Sequence, residues 1–363
     1  MKILNLSIDQ HIFDKDSATA KRIINYGGLV EKYTVIIPSQ KSQEVTLSNK
    51  VNVYGIGGKF KTLQLFSIYR FVDGLLRKER YDLVTVQDQY YLAALGLRLA
   101  KKYEIGLEIQ VHGIERCKGL RKIIAQYVLS KAEAVRTVSG RLKQRLVDLF
   151  NVAENKITVV PIYVPLKEKQ EIKNYQLKKP SILLTVCRLV PIKNIELQIR
   201  ALNNFKKDNV DVELWIVGSG SEEKKLKELS RALAVDDNVK FWGWQSDLDH
   251  FYKQADLFLL TSDFEGWGMV VVEAAQYGLP IVMTDVGLAG EVIINNESGL
   301  VVPIKNVKAL AEAIKKILAD ENLRERLGKA AQQQVSKLLS REKTLAFYKS
   351  SWEKAIANTK LQK

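Results

Sequence analysis

The sequence has few of the residues that build disulfide frameworks or zinc sites. Its 363 residues include two cysteines and three histidines. Cys117 and Cys187 are far apart and show no metal-ligand spacing, so the sequence predicts neither a disulfide framework nor a cysteine-based metal site. Cys187 ends the apolar run LLTVC, where a free cysteine usually fills core volume.

Long apolar runs are also lacking. The longest, LLTVC at 183–187 and MVVVEAA at 269–275, are far shorter than the roughly 18 residues that a membrane-spanning helix needs. The first residues, MKILNLSIDQ, alternate and then turn polar, which is typical of a first strand and not of a signal peptide. We therefore expect a cytoplasmic protein, with any membrane contact being peripheral and on the inner face.

Acidic residues are too few to balance the basic ones. The chain has 56 Lys and Arg against 41 Asp and Glu, a net charge of +15. Residues 1–160 hold 26 basic and 15 acidic residues, which is +11, and residues 161–363 hold the other +4. This asymmetry indicates that the first half meets an anionic partner, and nucleic acid, acidic lipid and phosphorylated substrate all qualify.

Short β-branched runs alternate with longer helical patterns along nearly the whole chain. The predicted strands are KILNLSI, YTVIIPS, VNVYGI, DLVTVQ, GLEIQVH, AVRTVS and KITVVP in the first half and SILLTVCRL, VELWIVGSG, VKFWGW, DLFLLTS, PIVMTD and GLVVP in the second. This rhythm predicts an α/β protein with parallel sheets and crossover helices. The charged segment PLKEKQEIKNYQLKKP, at 165–180, interrupts it and marks a domain boundary. We predict two doubly wound Rossmann-like domains over 1–165 and 181–340, a linker over 166–180, and a cleft between the domains that holds the ligand.

The carboxyl-terminal segment 341–363 contains an amphipathic helix with aromatic anchors. Leu345, Phe347, Tyr348 and Trp352 recur among charged residues. Packing back on the first domain and capping the second domain are equally compatible with this pattern.

The segment FEGWGMVVVEAAQYGLP, at 264–280, predicts an anion site. It follows the strand DLFLLTS, forms a glycine turn and continues into a helix that Gly278 and Pro280 end. The free amides of Met269 and Val270 at the helix start would attract a phosphate. Glu265 and Glu273 flank this point, and carboxylates accept hydrogen bonds from paired hydroxyls, so a sugar nucleotide fits. The alternative is that Glu265 is a helix-start acid and Glu273 a surface residue.

A second strand end supplies cations. The segment LLTVCRLVPIKN places Arg188 and Lys193 around a proline turn. Arginine can clamp phosphate oxygens and lysine adds a compact charge, so the two residues could neutralise a leaving diphosphate. Surface cations near a loop are, however, more often simply solvated.

A third strand ends in a glycine turn. The segment WIVGSGSEEKKL, at 215–226, has Gly218 in a tight turn between a strand and a helix. Glu223 stands where the dinucleotide fingerprint would have its third glycine, so the segment is a weak nucleotide signal.

Taken together, these segments resemble a known family. CRLVPIKN, WIVGSGSEEKKL, VKFWGW and FEGWGMVVVEAAQYGLPIVMTDVGLAGEVI, in this order and spacing, are similar to the family 4 retaining glycosyltransferases, which have the two-domain GT-B architecture. The resemblance is strong over 181–303 and weaker over 1–180, where it is limited to strand rhythm and positions such as His112 and Ser139.

The resemblance implies roles for individual residues. Glu265 would contact the donor sugar, Glu273 would hold the ribose hydroxyls, and Arg188 with Lys193 would bind the diphosphate. His112 matches a histidine that faces the donor sugar, although a backbone-bonded histidine at a strand end is the alternative. The positions that would meet the donor's phosphate, sugar or base are Gly266, Trp267, Gly268, Met269, Val270, Gly218 and Trp244.

One departure from the family pattern concerns the loop after the first strand. The family commonly has a Gly-Gly loop near the phosphates, whereas this chain has DQHIFDKDSATAKRI, with Ser17 and Ala18 roughly at the glycine positions. The approach of the backbone to the donor is therefore expected to differ here.

The resemblance implies transfer of a hexose from a UDP- or GDP-sugar to a hydroxyl of a glycan or lipid-linked acceptor, in cell-surface polysaccharide or glycolipid biosynthesis. The donor is a substrate, and neither a cofactor nor a metal is expected. The alternatives are a sugar-nucleotide epimerase or phosphorylase of the same fold and a basic nucleic-acid-binding protein. Specific nucleic-acid binding is disfavoured because no recognised module is present. A glycosidase would not need helix amides and paired cations.

The basic first half contains two stretches that suit an anionic membrane surface. KFKTLQLFSIYRFVDGLLRKER, at 59–80, mixes aromatic and aliphatic residues with cations, and ERCKGLRKIIAQYVLSK, at 115–131, adds more cations. Ordinary crossover helices with solvated basic faces explain the same pattern equally well.

Overall fold

The computed structural model describes residues 1–58, 60–115, 117–166, 175–177, 179–207 and 210–361. The chain divides into two units, one of Met1–Pro161 with Leu339–Lys363 and one of Ile162–Leu338. The first unit's main segment ends at Pro161, whereas the sequence predicted the end of the first domain at residue 165. Of the predicted linker, residues 167–174 and 178 lie outside the described residues.

The first unit is built on an eight-stranded sheet with the order β3-β4-β2-β1-β5-β6-β7-β8. Its strands are β1 (Lys2–Leu6), β2 (Lys32–Ser39), β3 (Gln43–Ser48), β4 (Val51–Gly57), β5 (Leu83–Val86), β6 (Gly106–Val111), β7 (Ala134–Thr137) and β8 (Ile157–Val159). Its helices before the division are α1 (Ala18–Gly28), α2 (Lys61–Lys78), α3 (Tyr91–Tyr103), α4 (Leu120–Lys131) and α5 (Gly140–Phe150). All strand pairs are parallel except β3 with β4.

The central strands of this sheet are buried on both faces. Every residue of β5 and β6 is buried, as expected for parallel strands covered by helices on both sides. The edge strand β3 has no buried residue and was not predicted, because QEVTLS lacks a buried apolar face.

The second unit contains a six-stranded parallel sheet with the order β11-β10-β9-β12-β13-β14. Its strands are β9 (Ser181–Val186), β10 (Val212–Val217), β11 (Val239–Gly243), β12 (Leu257–Leu260), β13 (Ile281–Thr284) and β14 (Leu300–Val302). Its helices are α6 (Ile195–Lys207), α7 (Glu223–Ala232), α8 (Asp249–Gln254), α9 (Met269–Gln276), α10 (Val307–Ala319) and α11 (Glu321–Ser336). These elements confirm the predicted α/β class.

The last helix, α12 (Arg341–Leu361), packs on the first unit. Trp352 is completely buried in the core of that unit, together with Tyr348 and Ala355. Ser351 donates a hydrogen bond to the Glu108 carboxylate of β6 at 2.5 Å. The aromatic residues of the terminal segment therefore serve as core residues of the first unit.

Within the described ranges, none of the helices is both long and apolar enough to cross a bilayer.

Candidate active site

The strand order of the second unit reverses between β9 and β12. The chain runs from β9 outward to β10 and β11, and from β12 in the opposite direction to β13 and β14. Loops that follow strands on the two sides of such a switch point diverge and leave a crevice at the carboxyl edge of the sheet. Residues 187–194 follow β9 and residues 261–268 follow β12, so both predicted motifs lie at this crevice.

A lysine and a glutamate meet at the switch point. The Nζ atom of Lys193 donates to Oε1 of Glu265 at 2.5 Å, and the two side chains are 17% and 12% exposed. The hydroxyl of Ser262 donates to the same oxygen at 2.7 Å. These contacts hold the carboxylate and the ammonium group in fixed positions at the edge of the sheet.

A glycine turn leads directly into the start of α9. Gly268 has φ of 112° and ψ of 58°, a left-handed conformation that favours glycine, and it precedes Met269 directly. Among the described residues no side chain caps the start of this helix. The amides of Met269 and Val270 at this helix start are therefore left without a side-chain partner, and the anion site that the sequence predicts here stays a prediction.

Two buried aromatic residues position Glu273. The hydroxyl of Tyr252 on α8 donates to Oε2 of Glu273 at 2.8 Å. The Tyr252 ring stacks on Tyr277 with centroids 5.2 Å apart. Burial and the Glu273 charge raise the pKa of Tyr252 well above its ordinary value, so the phenol keeps its proton and remains a donor. One carboxylate oxygen of Glu273 thus has a fixed partner.

The loop after β9 is held from both sides. Pro191–Lys193 forms a short 3-10 turn, and Asn194 follows it in a left-handed conformation. The Asn194 amide donates to Asp263 at 3.0 Å, which ties this loop to the one after β12. Arg188 is exposed on the same loop. Its carbonyl accepts a hydrogen bond from the Val190 amide at 2.9 Å, and its side chain forms no hydrogen bond or ion pair with the described residues.

Gly218 allows the β10 loop to pack against the β9 loop. It has φ of 132°, and a Cβ atom at this position would lie 1.9 Å from the carbonyl oxygen of Cys187. Its predicted contact with the donor stays a prediction. In the structure Gly218 packs against the loop that carries Arg188.

Trp244 is 73% exposed after β11. Its neighbour Trp242 packs on Trp215 and Phe251, with centroids 5.1 and 5.3 Å away. An exposed indole at the end of a strand can stack on a planar base, and the predicted base contact stays a prediction.

His112 follows β6 in the first unit and lines a pocket of about 390 Å³. Burial, with a smaller effect of the Arg136 and Arg22 charges, lowers the pKa of His112 to about 3, so the imidazole is neutral at physiological pH. Burial also raises the pKa of Asp88, which lies in the same pocket.

Ser17 is a helix cap. Its hydroxyl accepts a hydrogen bond from the amide of Ala20 at 3.0 Å and donates to the carbonyl of His11 at 2.6 Å. This loop, which lacks the family's Gly-Gly pair, therefore ends in a serine that caps α1. Both hydrogen bonds of the Ser17 hydroxyl are made to the backbone of the same segment.

The structure brings Lys193, Glu265 and the Gly266–Val270 turn together in the second unit, and it buries Trp267 beneath that turn. Sequence reasoning missed Ser262, Tyr252 and Gly287, which position these residues. Only the serine, next to a predicted strand end, carried any signal. In the described ranges no group of three His, Cys, Asp or Glu side chains is placed to hold a metal ion.

Replacing Gly287 with alanine is expected to weaken donor binding by roughly tenfold or more. Gly287 has φ of 56°, and its Cβ would lie 2.2 Å from the Trp267 carbonyl oxygen, which accepts the Leu288 amide at 2.9 Å. The turn that presents the α9 amides must then shift. Isothermal titration with the donor measures the effect.

Gly119→Ala is the matched control for this change. Gly119 also has a positive φ, 54°, but a Cβ there meets nothing within 4 Å. It therefore incurs the backbone strain alone, about 1–3 kcal/mol. Equal donor affinity in Gly287→Ala and the parent protein would contradict the role of this turn.

Residues 167–334 match the family model described as glycosyl transferases group 1, and residues 32–168 match the model described as Glycosyltransferase Family 4. An uncharacterized glycosyltransferase from Methanocaldococcus jannaschii is 30% identical over 275 residues, which are 69% of this chain and 70% of that protein. A capsular polysaccharide biosynthesis glycosyltransferase from Staphylococcus aureus is 28% identical over 244 residues, 62% of this chain and 64% of that protein.

Solved structures share the fold at low sequence identity. Sucrose-phosphate synthase from Thermosynechococcus elongatus superposes with a TM-score of 0.81 at 18% identity, covering 98% of this chain and all of the other. HepE from Anabaena, solved with UDP and glucose, superposes with a TM-score of 0.74 at 18% identity, covering 97% and 98% of the two chains.

Proposed function

The chain belongs to the group 1 glycosyltransferases and has the GT-B fold of two Rossmann-like domains, and on this premise we propose that it is a retaining hexosyltransferase. The donor is a UDP- or GDP-sugar, and the acceptor is a hydroxyl of a glycan or lipid-linked molecule. To the glycosyl transfer that the family shares, the proposal adds the class of donor, retention of the anomeric configuration and the class of acceptor.

The observation that carries the proposal is the cluster of Lys193, Glu265 and Ser262 beside the uncapped start of α9. A diphosphate needs positive potential, and the lysine and the helix amides supply it at one edge of the sheet. A sugar needs hydrogen-bond acceptors for its hydroxyls, and the side chain of Glu265 is held in place by its two donors, Lys193 and Ser262.

The reaction forms one bond to the anomeric carbon, breaks another, and moves one proton between oxygens. The acceptor oxygen bonds to the anomeric carbon, and the bond from that carbon to the diphosphate oxygen breaks on the same face. Lys193, Arg188 and the amides of Met269 and Val270 stabilise the charge that develops on the departing diphosphate. The departing phosphate oxygen takes the proton of the acceptor hydroxyl. A neutral His112 suits a hydrogen bond to a sugar hydroxyl and not a charge interaction.

Relatives support the donor and the pathway class. HepE was solved with UDP and glucose, and the Staphylococcus aureus relative is described as acting in capsular polysaccharide biosynthesis. We propose by analogy a glycosylated cell-surface polymer or glycolipid as the product. No cofactor is proposed, because the donor is itself a substrate.

A thermal-shift screen with UDP, GDP, ADP and their sugar conjugates tests the donor site. We expect one nucleotide to raise the melting temperature of the parent protein, and Glu273→Ala to lose most of that shift because the ribose hydroxyls lose their acceptor. Glu273→Gln should keep part of the shift, since an amide oxygen still accepts from Tyr252. Glu297→Ala, an exposed glutamate of the same unit, is the control.

An unchanged shift in Glu273→Ala would contradict the assignment of this carboxylate. The epimerase and phosphorylase alternatives are separated by the products. Transfer requires an acceptor hydroxyl and, in NMR of the product, gives the anomeric configuration of the donor. An epimerised donor formed without any acceptor would overturn the proposal.

A further inference from the structure

We propose that Gln198 is a positioning residue for the transfer reaction, and that its buried amide fixes the loop that carries Lys193. Gln198 is 1% exposed, so it acts through the residues that it contacts. Its effect on the reaction rests on the proposed function, whereas its effect on the loop rests on the hydrogen bonds alone.

Gln198 is a polar residue on the buried face of α6. The other buried residues of this helix, in the part of the chain that the structure describes, are all apolar: Ile195, Leu197, Ile199, Ala201, Leu202 and Phe205. Burying an amide is unfavourable unless hydrogen bonds replace those with water. The Oε1 atom of Gln198 has no hydrogen-bond partner among the described residues. An apolar side chain would therefore serve the packing better, and the amide needs a reason other than the core.

The Gln198 amide links the strands on the two sides of the switch point. Its Nε2 atom donates to Oγ1 of Thr261 at 2.9 Å and to Oγ1 of Thr185 at 3.3 Å, and both threonines are buried. Thr185 lies on β9 and Thr261 directly follows β12. The loops after these two strands carry Lys193 and Glu265. One side chain thus joins the bases of the two loops that meet at the candidate active site.

The Thr261 hydroxyl continues the contact to the backbone of the β9 loop. It donates to the carbonyl oxygens of Lys193 and Asn194, at 3.3 and 3.1 Å. A hydroxyl has a single proton, so a hydroxyl that donates to these carbonyls can only accept from Gln198. This requirement orients the amide with Nε2 toward the threonine. The series from amide to hydroxyl to carbonyl ends at the backbone of the residue whose ammonium group donates to Glu265.

The loop is held from two sides, and the Gln198 side is the buried one. The Asn194 amide donates to Asp263 at 3.0 Å on the partly exposed side, and Thr261 holds the inner side. Groups that stabilise a departing diphosphate act best when they are fixed before the reaction, because no reorganisation is then needed. Without its donor, Thr261 can turn away from the carbonyls, and the Lys193 ammonium group can shift while the unit stays folded.

Replacing Gln198 with methionine tests the proposal, because methionine has a similar length and packs well but removes the donor. With the nucleotide sugar that stabilises the parent protein and one fixed acceptor, kcat should fall roughly tenfold to a hundredfold, and the KM of the donor should change only a few-fold. The melting temperature should change by no more than about 4 °C. A kcat within about twofold of the parent would overturn the proposal. A large fall in melting temperature that accompanies the loss of kcat would also overturn it.

Two changes at Thr261 separate the hydroxyl from the rest of the side chain. Thr261→Ser keeps the hydroxyl and should stay within about threefold of the parent kcat, whereas Thr261→Val removes it and should match Gln198→Met. Thr34→Val is the matched control, because Thr34 is an equally buried threonine of the first unit whose hydroxyl lies 2.8 Å from that of Tyr81. The control should leave kcat unchanged. Equal kcat in the serine and valine variants of Thr261 would reject the series of hydrogen bonds.

The Lys193→Ala background shows whether Gln198 acts through the ammonium group. There, Gln198→Met should lower kcat by less than about twofold more, because residues that act through one group do not have multiplicative effects. A further loss as large as that in the parent background would show that Gln198 acts on another group, and it would overturn the proposal.

A measurement without donor or acceptor separates this inference from the proposed function. In protein labelled with ¹⁵N-lysine, the Lys193 ammonium group, held by Glu265, should give a side-chain resonance that Lys193→Ala lacks. Gln198→Met should shift or broaden that resonance, and Thr34→Val should not. An unchanged resonance would reject the positioning role even if transfer is observed. A changed resonance together with full turnover in Lys193→Ala would uphold the loop contact and reject the role of Lys193 in the proposed function.

Discussion

Replacing Lys193 with alanine is expected to lower turnover about 10²–10³-fold, since one preorganised donor group at a developing charge typically contributes that much. Lys193 is fixed by Glu265 at the crevice where the diphosphate would leave. Binding of the diphosphate offers the ammonium group a second anion, and the interaction strengthens as charge develops on the departing oxygen. The loss should therefore appear in kcat more than in the KM of the donor.

Stability should change much less than turnover in the same variant. The two side chains are only 17% and 12% exposed, but Glu265 keeps its hydrogen bond from Ser262, so the free energy of unfolding should fall by about 1–3 kcal/mol. Lys305→Ala is the matched control, because Lys305 contacts Asp263 of the neighbouring loop at 3.5 Å and is 72% exposed. Turnover of Lys193→Ala within a few-fold of the parent, or a loss that Lys305→Ala shares, would reject the assignment.

The strand rhythm was the most predictable part of the fold. Runs such as those at 106–112 and 212–220 are apolar and β-branched because parallel strands are buried on both faces, and all of the predicted strands are present. The missing strand, β3, is an antiparallel edge with exposed polar residues, so its pairing depends on backbone hydrogen bonds that leave no periodic signal.

The part of the candidate site that could be predicted consists of charged side chains that directly follow a strand. Lys193 and Glu265 come from loops that parallel pairing places at one edge, so their proximity follows from topology. The partners that orient the carboxylates come from elsewhere. Tyr252 reaches Glu273 from another helix, and Gly287 supports the turn from the loop after β13. Contacts between elements of this kind depend on packing angles that no local pattern records.

The contacts of Glu108 could not be predicted from the sequence either. The run GLEIQVH predicted a strand, and the charged residue within it gave no indication of its partners. In the structure Glu108 is 0% exposed and accepts three hydrogen bonds, from Thr85 at 2.5 Å, Arg136 at 3.2 Å and Ser351 at 2.5 Å. The Arg136 guanidinium also lies 3.8 Å from the centroid of Tyr348 on α12. The buried pair thus connects the sheet to the last helix.

Replacing Glu108 with alanine is expected to cost about 3–5 kcal/mol of the free energy of unfolding of the first unit. Arg136 is 3% exposed, so the change leaves a buried cation without its carboxylate. Ser351 also loses its acceptor, and α12 should separate more easily from the sheet. Trp352 is the one tryptophan among the five in the chain that lies in the first unit. Its fluorine resonance in the fluorotryptophan-labelled protein therefore reports denaturation of that unit separately from the other.

Two comparisons identify the cause of the loss. Glu79→Ala removes a carboxylate that pairs with Lys32 and Lys2 at the surface, and it should cost no more than about 1 kcal/mol. The double change Glu108→Leu/Arg136→Met removes both charges and should be less destabilising than Glu108→Ala, because an unpaired buried charge costs more than an apolar replacement of the whole pair. If the double variant were the less stable of the two, the ion pair itself would be the main stabilising contact, and the desolvated cation would not explain the loss.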